Sequence, residues 1–187
     1  MEKNKPTRIL SDEHKKILTV IDALLAECDA LESGKAVDER FLKRVIGFVR
    51  DYADRFHHAK EEDILFVELC KDAVQMRCNP TRQMLYEHDL GRGFVKGIGE
   101  GLEEGDKGKI IKNSRGYAEL LKEHIFKEDS ILYPMADEAL GKEAQGRMLE
   151  KFRETEKKFR QKNEDALMFV KEIEEKEIKN GRRKREP

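Results

Sequence analysis

Tryptophan is absent from the 187 residues, proline occurs only 4 times, and aromatic residues make up 7% of the chain. Without aromatic and β-branched runs a sheet protein is not expected. The 3 cysteines, Cys28, Cys70 and Cys78, are odd in number and contain no CxxC spacing. They read as reduced thiols of a cytoplasmic protein rather than a disulfide framework or a thiolate metal site. No apolar stretch approaches bilayer length, and charge rather than an apolar core follows Ile9 and Leu10, so neither a membrane span nor a signal peptide is expected. An excess of one charge is missing too: 38 Lys+Arg face 39 Asp+Glu, for a net charge of −1. That balance argues against a broad nucleic-acid surface.

What is present is charge at high density, 41%, alongside 38% hydrophobic residues. This mixture suits amphipathic helices with one buried and one polar face. Ser11 is expected to open the first, with Ile17, Leu18, Ile21, Leu24, Leu25 and Cys28 at helical spacing until Ser33-Gly34. A second begins near Asp38 and carries Phe41, Val45, Phe48, Val49, Tyr52 and Phe56, reaching toward Met76–Cys78 before Asn79-Pro80. Thr81 is placed as the cap of a third, whose propensity is lowered by Gly91, Gly93, Gly97 and Gly99, glycines that permit either fraying or close helix approach. The region 101–108 reads as a turn, and a fourth helix carries Ile110, Tyr117, Leu121, Ile131 and Leu132, kinking or stopping near Pro134. The expected fold is all-α: an up-down-up-down four-helix bundle over residues 1–140. A helical extension over 141–187 has a thinner stripe (Met148, Phe152, Ala166, Phe169, Val170, Ile173) and would pack outside the bundle or make a homo-oligomer with a second copy. The basic end, Lys179 to Pro187, reads as a solvated terminus.

Two segments repeat one another: His57-His58-Ala59-Lys60-Glu61-Glu62-Asp63-Ile64-Leu65-Phe66 and His124-Ile125-Phe126-Lys127-Glu128-Asp129-Ser130-Ile131-Leu132-Tyr133. They share His, Lys at +3, Glu at +4, Ile-Leu at +7 and +8, and an aromatic at +9. Residues i and i+4 lie one turn apart, so each copy sets an imidazole beside a carboxylate, and Leu65 or Leu132 directs both inward. A glutamate facing a core must be paired or bound to metal. The alignment selects His57 with Glu61 as the inward pair. It leaves His58 as a flanking residue, with an added donor or a support behind the donors as its other role.

His14 and His88 each follow a glutamate and lie on or beside an apolar stripe. Four histidines, one per helix, with two i+4 glutamates suit iron, manganese or zinc. Six donors exceed one four-coordinate zinc but suffice for two metal ions. Glu61 and Glu128 would bridge them, with an oxo or hydroxo bridge from solvent, and an open position would admit dioxygen, peroxide or nitric oxide.

The pattern His14, His57/Glu61, His88, His124/Glu128 resembles the hemerythrin-like (HHE cation-binding) family over roughly residues 10–140. That resemblance implies a diiron centre and an oxygen-binding, storing or sensing protein. Relatives that reduce peroxide or nitric oxide, or donate iron for cluster repair, supply the alternative. One departure is Met84, which stands where oxygen carriers have a further histidine. His58, Glu87 and Tyr117 are the candidates to replace it. Ferritin-like sites expect Glu-x-x-His on two helices, whereas Asp54-x-x-His57 has no second copy here.

Overall fold

A computed structural model describes residues 5–71, 74 and 80–183, and among them every regular element is helical. The first rod, α1 (Pro6–Glu32), starts one and a half turns before Ser11. Proline at its beginning supplies a fixed φ and lacks only a donor that would have no partner there. Ser11 is instead mid-helix, its hydroxyl donating to Asp129 Oδ1 at 2.5 Å.

The second rod opens as expected at Asp38, whose side chain accepts from Phe41 N at 2.9 Å. It runs as α2 (Glu39–Phe48), two π-helical stretches (Val49–His58 and Glu61–Leu65) and α3 (Phe66–Leu69). The expected end at Met76–Cys78 and the Asn79 turn lie outside the described residues. In α4 (Thr81–Glu104) the first helical residue is Thr81 itself, and Pro80 precedes it without a side-chain cap. Gly105 closes α4 in the left-handed region (φ 68°), which only glycine adopts freely, and Asp106 caps α5 (Lys107–Lys127) through Lys109 N. The fourth rod does not stop at Pro134. A π-helical stretch (Glu128–Leu132) leads into α6 (Tyr133–Ala139), so the widened turn just ahead of the proline absorbs its missing donor.

The four rods form a bundle with two apolar clusters. One contains Ile17, Ile21, Leu24, Phe48, Tyr52, Val95, Ile98 and Leu121. The other contains Leu10, Leu65, Met84, Leu132, Met148 and Phe152. On every rod the inward histidine sits in sequence between these sets: His14 between Leu10 and Ile17, His88 between Met84 and Val95, His124 between Leu121 and Leu132. A buried polar layer is thereby held between two greasy ones. The α4–α5 pair packs tightly, because a Cβ at Gly101 would meet the backbone nitrogen of Ile110 at 3.0 Å. Close helix approach is therefore what this glycine provides.

The extension is two helices rather than one, α7 (Lys142–Lys158) and α8 (Arg160–Arg183), broken at Phe159 (φ −103°, ψ 11°). Its stripe is covered by its own chain. Met148 and Phe152, both at 0% exposure, complete the second cluster, while Ala166, Phe169, Val170 and Ile173 join the first. The last residues of the basic end, 184–187, lie outside the described residues.

Candidate metal centre

The polar layer gathers its donors into two groups, His14/His57/Glu61/Glu128 and His58/His88/His124, in each of which the donor atoms lie within 4.8 Å of one another. All seven residues are buried, Glu61 and Glu128 completely. The six residues expected from the sequence are thus brought together. So is His58, for which the sequence favoured the flank and left an added donor as the other role. The physical reason is the π-helical stretch ending at His58: its wider turns rotate successive residues by less than the 100° of an α-helix, so His57 and His58 both face the interior. His58 stacks on His88 with ring centroids 3.7 Å apart. Instead of two histidines per end, the layer offers three at one end and two at the other.

Four of the five imidazoles are aimed by a carboxylate that accepts from Nδ1. His57 Nδ1 donates to Glu13 Oε2 (2.9 Å), His14 to Asp129 Oδ1 (3.1 Å), His88 to Glu62 Oε1 (2.7 Å) and His124 to Glu87 Oε2 (2.8 Å). His58 Nδ1 lies 3.5 Å from Asp54 Oδ1. Because a carboxylate only accepts, Nδ1 keeps its proton and Nε2 keeps a lone pair directed inward. These supporting acids are themselves anchored. Arg92 reaches both Asp54 (2.7 Å) and Glu62 (2.8 Å), and Lys127 contacts Glu87. Burial works to raise Asp54 and Glu62, yet hydrogen bonds from the imidazoles and from Arg92 hold both at about 2. Glu13 is bound by the fully buried Lys60 (2.6 Å), which lies over the Phe56 ring and reaches Glu156 of α7 at 3.4 Å. Burial raises the Glu13 pKa, and Lys60 opposes that rise.

The inward atoms show what this arrangement can hold. His88 Nε2 and His124 Nε2 stand 3.0 Å apart although both Nδ1 atoms are committed as donors, so two lone pairs face each other. Glu128 Oε1 and Oε2 lie 3.2 Å from His124 Nε2 and 3.3 Å from His14 Nε2. Glu61 Oε2 lies 3.6 Å from the Nε2 atoms of both His57 and His88. Those three carboxylate oxygens are buried and receive no hydrogen bond. Buried acceptors facing buried acceptors are costly without a cation between them, and imidazole with carboxylate is a donor set for a transition metal. Glu61 and Glu128 each reach both histidine groups, which suits a pair of ions.

Two residues proposed from the sequence stand behind or beside the donors. Glu87 orients His124, while Tyr117, buried, belongs to neither group and lines a cavity next to the three-histidine end. Met84 is packed in the apolar cluster below the layer. Sequence reasoning gave no role to Tyr133, whose hydroxyl donates to Glu61 Oε1 (2.5 Å), lies 3.4 Å from His14 Nε2 and whose ring stacks on His14. Its signal was the aromatic at +9 of the repeat. The Nδ1 partners Glu13, Asp54, Glu62 and Asp129 went equally unassigned, although two of them follow a donor glutamate directly and Glu13 precedes His14.

No curated protein sequence matches the chain. The family model described as Hemerythrin HHE cation binding domain matches residues 5–136, a span that holds all seven inward donors. The chain belongs to that family.

Proposed function

We propose that this protein is a non-haem diiron protein that binds dioxygen or a related small diatomic. The observation that carries this reading is the set of three unpartnered buried carboxylate oxygens turned toward histidine Nε2 atoms on all four rods. His14 and His57 would hold one ion and His58, His88 and His124 the other, with Glu61 and Glu128 shared between them and an oxo or hydroxo bridge from solvent. Iron held by these residues would supply a redox-active Lewis acid able to bind a diatomic ligand.

The chain's own residues do the rest. Glu13, Asp129, Glu62 and Glu87 fix ring orientation from Nδ1, Tyr133 holds its proton against Glu61 Oε1, and the apolar layers close the polar layer above and below. Among the described residues no helix is long and apolar enough to cross a membrane.

The test is to load anaerobic protein with ferrous iron, admit air, and follow the absorption spectrum. A stable adduct that reverses on removing oxygen supports binding. Absence of any oxygen-dependent spectral change contradicts it, and rapid turnover of peroxide or nitric oxide with an electron donor would instead mark an enzyme.

A further inference from the structure

A cavity of about 250 Å³ opens between the second rod, α4 and α5, with His58, His88 and His124 at its inner end. It lies against the end of the polar layer that already has three imidazoles. Its size exceeds what a diatomic needs: a water molecule occupies roughly 30 Å³ and a cavity of about 150 Å³ accepts benzene. Val49, Val95 and Leu121 give it apolar walls.

Its polar groups are unevenly committed. Of the lining acids, Asp54 is engaged by Arg92, and Glu87 by His124 and Lys127. Of the lining cations, Arg92 is held by Asp54, Glu62 and Asp89, Arg55 by Asp51 and Lys96 by Glu100. Arg50, at the exposed rim, makes no ion pair among the described residues. Deeper in, the Tyr117 side chain is 2% exposed, and its hydroxyl has no hydrogen-bond partner among the described residues. Its surroundings raise the pKa of the phenol, so the hydroxyl stays protonated and is available as a donor to a ligand in the cavity that it lines. A neutral diatomic would use neither a rim guanidinium nor a buried phenol.

We propose that this cavity is a binding site for a small organic carboxylate. Its anionic end would sit at the Arg50 rim, its apolar body between Val95 and Leu121, and an acceptor atom would be offered to the Tyr117 hydroxyl. The site is a ligand position in its own right, separate from the inward donor atoms.

The test uses metal-loaded protein and isothermal titration calorimetry, so failure of dioxygen binding leaves it intact. The probe is 4-acetylbenzoate, which has a carboxylate at one end and a carbonyl acceptor at the other, and the neutral amide of the same acid serves as comparator. One saturable site per chain is expected, with the amide at least about tenfold weaker. Arg50→Gln should erase that preference, and Tyr117→Phe, which keeps the ring and hence the packing, should weaken binding about fivefold. No saturable binding, equal affinity for acid and amide, or affinity unchanged in both variants would overturn the proposal. So would binding that shifts the metal absorption bands while remaining indifferent to Arg50, since the carboxylate would then be ligating the metal.

Discussion

At the scale of single residues, the centre depends as much on the acids behind the imidazoles as on the imidazoles. His58 shows the first point. Its ring is 7% exposed and stacked on His88, so in His58→Ala the three-histidine end retains only His88 and His124. Iron content measured by atomic absorption is expected to fall from about two per chain toward one, and full retention would return His58 to the flank. Asp129 shows the second. Asp129→Asn removes the acceptor that fixes His14, and losing such an orienting partner typically lowers metal affinity about 10–100-fold. Competition with a chelator reads that change. Lys60 carries a different burden, because its ammonium is wholly buried and neutralises Glu13 behind His57. Lys60→Met strands that carboxylate and is expected to cost about 3–5 kcal/mol of stability in urea unfolding. A loss below about 1 kcal/mol would show that Glu13 finds another partner or takes up a proton.

At the scale of elements, the His-x-x-x-Glu repeats were legible in the sequence because a four-residue step is one turn of any regular helix, and Ile-Leu beyond them marks the inward side. The cap at Asp38 was legible for an equally local reason, a side-chain acceptor, whereas the turn expected over 101–108 is shorter: α4 runs on to Glu104, Gly105 closes it and α5 begins at Lys107. His58 was not, because a π-helical stretch leaves no signature in 3.6-residue periodicity. At Pro134 the sequence left a kink or a stop open, and the same geometry in the fourth rod carries the helix past it. The start of α1 was misplaced at Ser11 since a capping residue looks alike in sequence whether it opens a helix or, as here, reaches across to Asp129. Sequence left the glycines of α4 open between fraying and close helix approach and put Gly101 in the turn; in the structure Gly101 is helical and faces Ile110 N so closely that a methyl group cannot enter without parting the helices. Gly101→Ala should therefore lower stability by about 1–3 kcal/mol despite its better helix propensity. A melting temperature that rises in this variant would mean that α4 and α5 have slack at that point.

At the scale of the whole molecule, the polar layer is a deliberate weakness between two apolar clusters, and metal is what turns it into a strength. The four-rod plan followed from the sequence, since amphipathic stripes joined by short turns have few other ways to bury themselves. The Nδ1 carboxylates did not, because each acts on a histidine of a different rod or through a π-turn, and such pairings exist only once the rods are assembled. The extension belongs to the same body: Phe152 is fully buried in the cluster beneath the donors, so Phe152→Ala should cost about 3–5 kcal/mol even though it lies beyond the family match. Removing the metal should destabilise the entire bundle, by about 4 kcal/mol where free metal exceeds its dissociation constant a thousandfold. Acid should act in the same direction, since imidazoles and carboxylates bind metal only when deprotonated. The most direct measurement is an anaerobic titration of metal-free protein with ferrous iron, followed by the absorption spectrum and by elemental analysis after desalting. Two ions retained per chain, with His124→Ala retaining one or none, is the expected result. A wild-type chain that keeps fewer than one ion, or a His124→Ala chain that still keeps two, would contradict a dinuclear centre in the middle of this bundle.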